Sequence, residues 1–93
     1  MSADTRTRPA VVLGLAEPTI AALRGAVVTV LGADGPGAWD NLRREAGRTA
    51  TVEHMIEVMC ASADRVVVMC GRSQRIRLAC YQRLSAVHGL DAS

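Results

Sequence analysis

The apolar residues between Val52 and Cys70 recur at the spacing of an α-helix. Nine of them fall on one face at i, i+3 and i+4 if the segment is one helix: Val52, Met55, Ile56, Met59, Cys60, Ala63, Val66, Val67 and Cys70. An unbroken stripe of this kind is typical of an amphipathic helix that packs against a core. Thr51 is suited to cap the start of this helix, and Gly71 is suited to end it. The pattern therefore predicts one long central helix.

Three further segments carry helical periodicity and boundary residues. They are a helix that begins at Glu17-Pro18 and ends at Gly32, a short helix from Ala38 to Ala46, and a last helix from about Gln74 to His88. The stretch 32–37 is rich in Gly and Pro and predicts a loop between the first two. We therefore predict an all-α bundle of about four helices over 17–90, preceded by a flexible N-terminal segment over 1–16.

The residue types available for a core favour self-association. The chain has 93 residues and is 49% hydrophobic, yet it contains one Trp, one Tyr and no Phe. Its core must be built from smaller side chains, each of which buries little area. Because a domain of this size also buries a smaller share of its surface than a large one does, we expect a homodimer.

A small α/β domain is the alternative fold. Segments 10–15, 26–31 and 65–70 are short, rich in Val and mostly bounded by Gly or Pro, as buried parallel strands are. Three consecutive Val residues also disfavour a helix. We prefer the all-α interpretation because the helical series fits all nine positions of the central segment. A three-stranded parallel sheet would also be difficult to cover on both faces with so short a chain.

The sequence contains no pattern typical of a catalytic, phosphate-binding or metal site. Its three cysteines lack CxxC spacing. Cys60 and Cys70 would lie about 15 Å apart on one helix, too far to share a metal ion, and are expected to be core residues. His54 and Glu57 are helix neighbours but have no matching motif elsewhere. We expect no enzymatic activity, no cofactor and no bound metal.

Charge and hydropathy bear on localisation and partners. All eleven basic residues are Arg, and the net charge is +2, which is well below that of most strong nucleic-acid binders. No segment has the length of a membrane span, and the apolar run 10–16 lacks a signal-peptide cleavage site. An odd number of cysteines does not suggest a disulfide framework. We expect a cytoplasmic protein without a membrane partner.

The last predicted helix has apolar residues on two sides. One face carries Ile76 and Ala79 and is predicted to lie on the core. The opposite face carries Leu78 and Tyr81, which would be more apolar surface than one small core can bury. The predicted partner-binding residues are Leu78, Tyr81, Arg83, Arg75 and Arg77. From this surface we predict a small regulatory or adaptor protein that binds another protein through helix faces.

A DNA-binding regulator is the alternative function. The central segment becomes a helix-turn-helix if it breaks around Ala61-Ser62-Ala63, with a second helix that begins near Asp64. Arginines downstream of the break would then contact phosphate. The small net charge, and the Val and Met residues at the positions that would read bases, argue against this alternative.

Overall fold

The computed structural model describes residues 11–12 and 15–88, and almost all of this part of the chain is helical. Two short strands, β1 (Val11–Val12) and β2 (Leu15–Ala16), pair antiparallel. They are followed by α1 (Ile20–Leu31), a 3-10 turn (Gly32–Asp34), α2 (Gly35–Ala46), α3 (Val52–Cys60) and α4 (Arg65–His88). The predicted all-α class is confirmed.

Hydroxyl groups of threonine cap two of the helices as local chemistry requires. The Thr51 hydroxyl accepts a hydrogen bond from the His54 backbone N–H over 3.1 Å at the start of α3. The Thr19 hydroxyl does the same for Ala22 over 3.1 Å at the start of α1. The helix start predicted at Glu17-Pro18 is therefore wrong by about two residues. The first backbone N–H groups of a helix have no carbonyl partner within it, and the hydroxyl of Thr19 accepts from one of them.

The stretch 32–37, predicted to be a loop, is a 3-10 turn that continues directly into α2. Pro36 lies in the first turn of α2, where its missing N–H is tolerated. A Cβ on Gly35 would lie 2.6 Å from the Cα of Val28, so only glycine allows α2 to begin so close to α1. Gly47, with φ of 98°, ends α2 after Ala46, which is the end predicted for this helix.

The long central helix predicted over Val52 to Cys70 is wrong. The chain leaves the helix after Cys60 and begins a new one at Arg65. Between them, the Ser62 hydroxyl accepts from the Asp64 N–H over 3.1 Å, and the Asp64 carboxylate accepts from the Val66 N–H over 2.8 Å. These local hydrogen bonds compete with those of a continuous helix, and Asp64 then caps α4.

Gly71 does not end a helix but lies buried inside α4. A Cβ at this position would lie 2.9 Å from the Cβ of Met59 and 3.0 Å from the backbone N of Cys60. Gly71 therefore lets α4 approach α3 more closely than any other residue would. The last helix, predicted to begin at about Gln74, therefore begins at Arg65 instead, because α4 passes through Gly71 without interruption.

The core lies where α1, α2 and α3 meet the first half of α4. Its buried members are Leu23, Val27, Trp39, Leu42, Met55, Ile56, Met59 and Val67. Burial of Met55, Ile56 and Met59 on α3 agrees with the stripe predicted from the sequence. Trp39 and Leu42 are the buried side chains of α2, whereas Val30 of α1 is exposed.

The α/β alternative is wrong, because segments 26–31 and 65–70 are helical. The short antiparallel pair of β1 and β2 is the only strand structure in the described residues. The predicted flexible segment 1–16 lies mostly outside the described residues. Its described part, β1 and β2, packs beside α4. Among the described helices, none combines the length and the apolar character needed to cross a membrane.

Candidate protein-binding surface

Two opposite faces of α4 have a heptad-like spacing. The inner face, which lies on the rest of the domain, carries Val67, Gly71, Gln74, Leu78, Tyr81 and Ser85. The other face is exposed along its whole length. We call it the outer stripe; it consists of Met69, Ser73, Ile76, Cys80, Arg83 and Val87. Both series alternate steps of three and four residues, which keeps each on one side of the helix.

The orientation of α4 is the reverse of the one predicted from the sequence. Tyr81 is 8% exposed, and Leu78 packs against the core. Ile76 and Ala79, which are predicted to lie on the core, are exposed instead, and so is Val87. The reason is that α4 is continuous through Gly71. The face that contains Gly71 must lie against α3, and Leu78 and Tyr81 share that face.

The role of the five predicted residues in partner binding stays a prediction, but the structure separates them. Leu78 and Tyr81 lie within the domain, whereas Arg75, Arg77 and Arg83 are exposed on α4. Arg75 borders a small cavity beside Glu53 and Glu57 of α3. Only the three arginines are therefore placed to meet a second molecule without repacking of the domain.

Large apolar side chains at or beside the outer stripe are left in solvent. Met69 is 69% exposed, Ile76 66% and Val87 79%; Val30 of α1, near the same surface, is 58% exposed. Single exposed apolar residues are common on protein surfaces. Here Met69, Ile76 and Val87 share one helix face, and Met69 and Val30 line the same groove. Such an arrangement is typical of an interaction surface.

The groove lies between α1 and α4 and has a volume of about 430 Å³. Most of its lining is apolar; the residues are Ala26, Val30, Val66, Met69, Cys70, Ser73 and Gln74. Gln74 is 7% exposed, and its side-chain oxygen has no hydrogen-bond partner within the described structure. A buried acceptor without a donor is costly, and because this oxygen has almost no accessible surface, a ligand in the groove does not reach it unless the side chain moves.

The charges on α4 have one sign. The helix contains five arginines, at positions 65, 72, 75, 77 and 83, and no acidic residue. The single ion pair found among the described residues lies elsewhere, between His54 and Glu57 of α3 at 3.5 Å. Within the described residues, no arginine of α4 forms an ion pair, although Arg75 borders the cavity that Glu53 and Glu57 line. The apolar outer stripe therefore has a positively charged border.

Cys60 lies on α3, whereas Cys70 and Cys80 lie on α4. The prediction that Cys60 and Cys70 lie on one helix is wrong, because the chain turns after Cys60 and brings its sulfur beside the position of Gly71. Burial raises the pKa of the Cys70 thiol, and the Asp64 carboxylate raises it further. Within the part of the chain that the structure describes, no three His, Cys, Asp or Glu residues are grouped to hold a metal ion.

No protein family, curated protein or solved structure matches this chain. The residues that sequence reasoning missed are Met69, Ile76 and Val87 as a surface feature. The sequence does contain a signal for this surface, which is the heptad spacing of the outer stripe. That spacing becomes visible only when residues 65–88 are treated as one helix.

Proposed function

We propose that this chain is a small helical regulatory or adaptor protein that binds another protein through the outer stripe of α4. The observation that supports this most strongly is the apolar surface of Met69, Ile76 and Val87 next to a groove that nothing in the described structure fills. Binding of this kind acts by occlusion or scaffolding and involves no bond chemistry. We also retain the expectations of a cytoplasmic location and of a protein without enzymatic activity or cofactor.

Site-specific photo-cross-linking tests this proposal. A photoreactive amino acid replaces Ile76 in cells that express the protein from its own gene. A matched control carries the same replacement at Arg44, an exposed residue at the end of α2. We expect an adduct to a second protein from position 76 and none from position 44. Absence of an adduct at position 76, with the variant folded and present, would refute the function.

The homodimer expected from composition is a separate proposal. Two α4 helices in contact would bring two sets of five arginines together with no acidic residue between them. Like charges in such a contact repel, which disfavours α4 as the surface of a dimer at low salt. Light scattering of the purified protein decides between monomer and dimer.

DNA binding is the second candidate, and one observation favours it. Helices α3 and α4 are joined by residues 61–64, which is the turn length of a helix-turn-helix, and α4 is the basic helix. However, the exposed side chains Met69 and Ile76 cannot form hydrogen bonds with base edges. A complex with duplex DNA that weakens steeply as salt rises would support this candidate over protein binding.

A further inference from the structure

The border of the outer stripe identifies the chemistry of its partner. In heptad terms Arg65 and Arg72 lie along one side of the stripe and Arg77 along the other, while Arg83 lies within it. All four are exposed, and none is in the one ion pair found in the described part of the chain. A partner that fits must therefore combine apolar anchors with negative charge on both sides of them.

The heptad spacing of the outer stripe favours a helix as its occupant. The stripe runs along α4 from Met69 to Val87, and the mostly apolar groove between α1 and α4 lies beside its first half. A helix lays a row of side chains at i, i+3, i+4 and i+7 into such a groove.

We propose that the outer stripe and the α1–α4 groove bind an acidic amphipathic α-helix of a partner protein. Apolar side chains of that helix cover Met69, Ile76 and Val30, and its Asp or Glu residues pair with Arg72 and Arg77. This inference rests on the proposed protein-binding function and gives the class of its partner.

Three other occupants fit the observations less well. A second copy of α4 has arginines where carboxylates are needed. A lipid surface is flat and does not fill a groove, and the stripe lacks the Trp and Phe residues that insert into membranes. DNA supplies the negative charge but leaves the apolar lining of the groove without a partner.

The test uses two synthetic helical peptides of roughly three heptads, with Leu at the a and d positions. The acidic peptide has Glu at its flanking positions, and the matched basic peptide has Lys there. Binding to the full chain is measured by fluorescence anisotropy. We expect the acidic peptide to bind, the basic peptide to fail, and Ile76→Asp to abolish binding while circular dichroism shows an unchanged helix content.

Charge reversal provides the decisive comparison. The double variant R72E/R77E should bind the acidic peptide at least about tenfold more weakly, a change of about 1.4 kcal/mol. It should gain affinity for the basic peptide. The control R44E/R48E changes the net charge by the same amount at the end of α2, away from the groove, and should behave as the wild type.

Four results would overturn the inference. One is equal binding of both peptides, which would show that charge does not select the partner. Another is binding of duplex DNA or phosphatidylserine vesicles, but not the acidic peptide, through Arg72 and Arg77. A third is dimerisation that Ile76→Asp abolishes, because a second copy would then be the occupant. The fourth is an adduct at position 76 in cells without any binding of the acidic peptide; the protein-binding function would then stand with a partner of different chemistry.

Discussion

Replacement of Gly71 by alanine tests the contact that orients α4. In an exposed helix interior, exchange of Gly for Ala stabilises by about 1 kcal/mol. At Gly71 the new methyl group would lie 2.9 Å from the Cβ of Met59 and 3.0 Å from the Cys60 backbone N. Ordinary contacts between carbon atoms are about 3.5–4.0 Å, so α3 and α4 must separate. Overpacking of this kind costs roughly 1–3 kcal/mol, which exceeds or at least cancels the gain in helix propensity.

Gly25 supplies the matched control. It lies inside α1, is exposed, and would place a Cβ within 4 Å of nothing. Gly25→Ala should therefore stabilise the domain by about 1 kcal/mol, whereas Gly71→Ala should leave it unchanged or destabilise it by up to about 2 kcal/mol. Thermal unfolding followed by circular dichroism resolves this, since about 1 kcal/mol shifts the Tm by roughly 4–8 °C in a domain of this size. Equal stabilisation by both changes would refute the close approach of α3 and α4.

Three further predictions concern the core, the turn and the cysteines. Met59→Asp should unfold the domain, with a loss of more than about 4 kcal/mol in the free energy of unfolding, because Met59 is 0% exposed. Met69→Asp is the control: Met69 is 69% exposed, so this change should alter the stability little. Chemical denaturation compares the two variants. Asp64→Ala should cost about 1 kcal/mol by removing the cap of α4, and a similar cost for Asp64→Asn, which keeps an acceptor, would contradict the capping role. At neutral pH, thiol reagents should label the exposed Cys80 faster than Cys70, because the raised pKa of Cys70 leaves less thiolate. Asp64→Asn should lower the pKa of Cys70 and speed the labelling of that residue alone. Mass spectrometry of the labelled protein checks both predictions.

Much of the architecture could be predicted from the sequence because its signals are local. The threonine cap of α3 and the glycine stop of α2 act through residues within one turn of the helix end. The apolar periodicity of Met55, Ile56 and Met59 likewise needs no knowledge of the neighbouring helices. The all-α class and most of the core follow from these patterns.

The candidate surface depended on tertiary structure. Periodicity alone continued the apolar stripe across residues 61–64, although the hydrogen bonds of Ser62 and Asp64 compete with the helix there. Gly71 has the local signature of a helix stop, and only the proximity of Met59 and Cys60 shows that it is a contact point instead. That contact turns Leu78 and Tyr81 inwards and Ile76 outwards. A helix with apolar residues on two faces does not specify which face is buried. The face that allows the closer approach to α3 becomes the inner one, and the other remains in solvent.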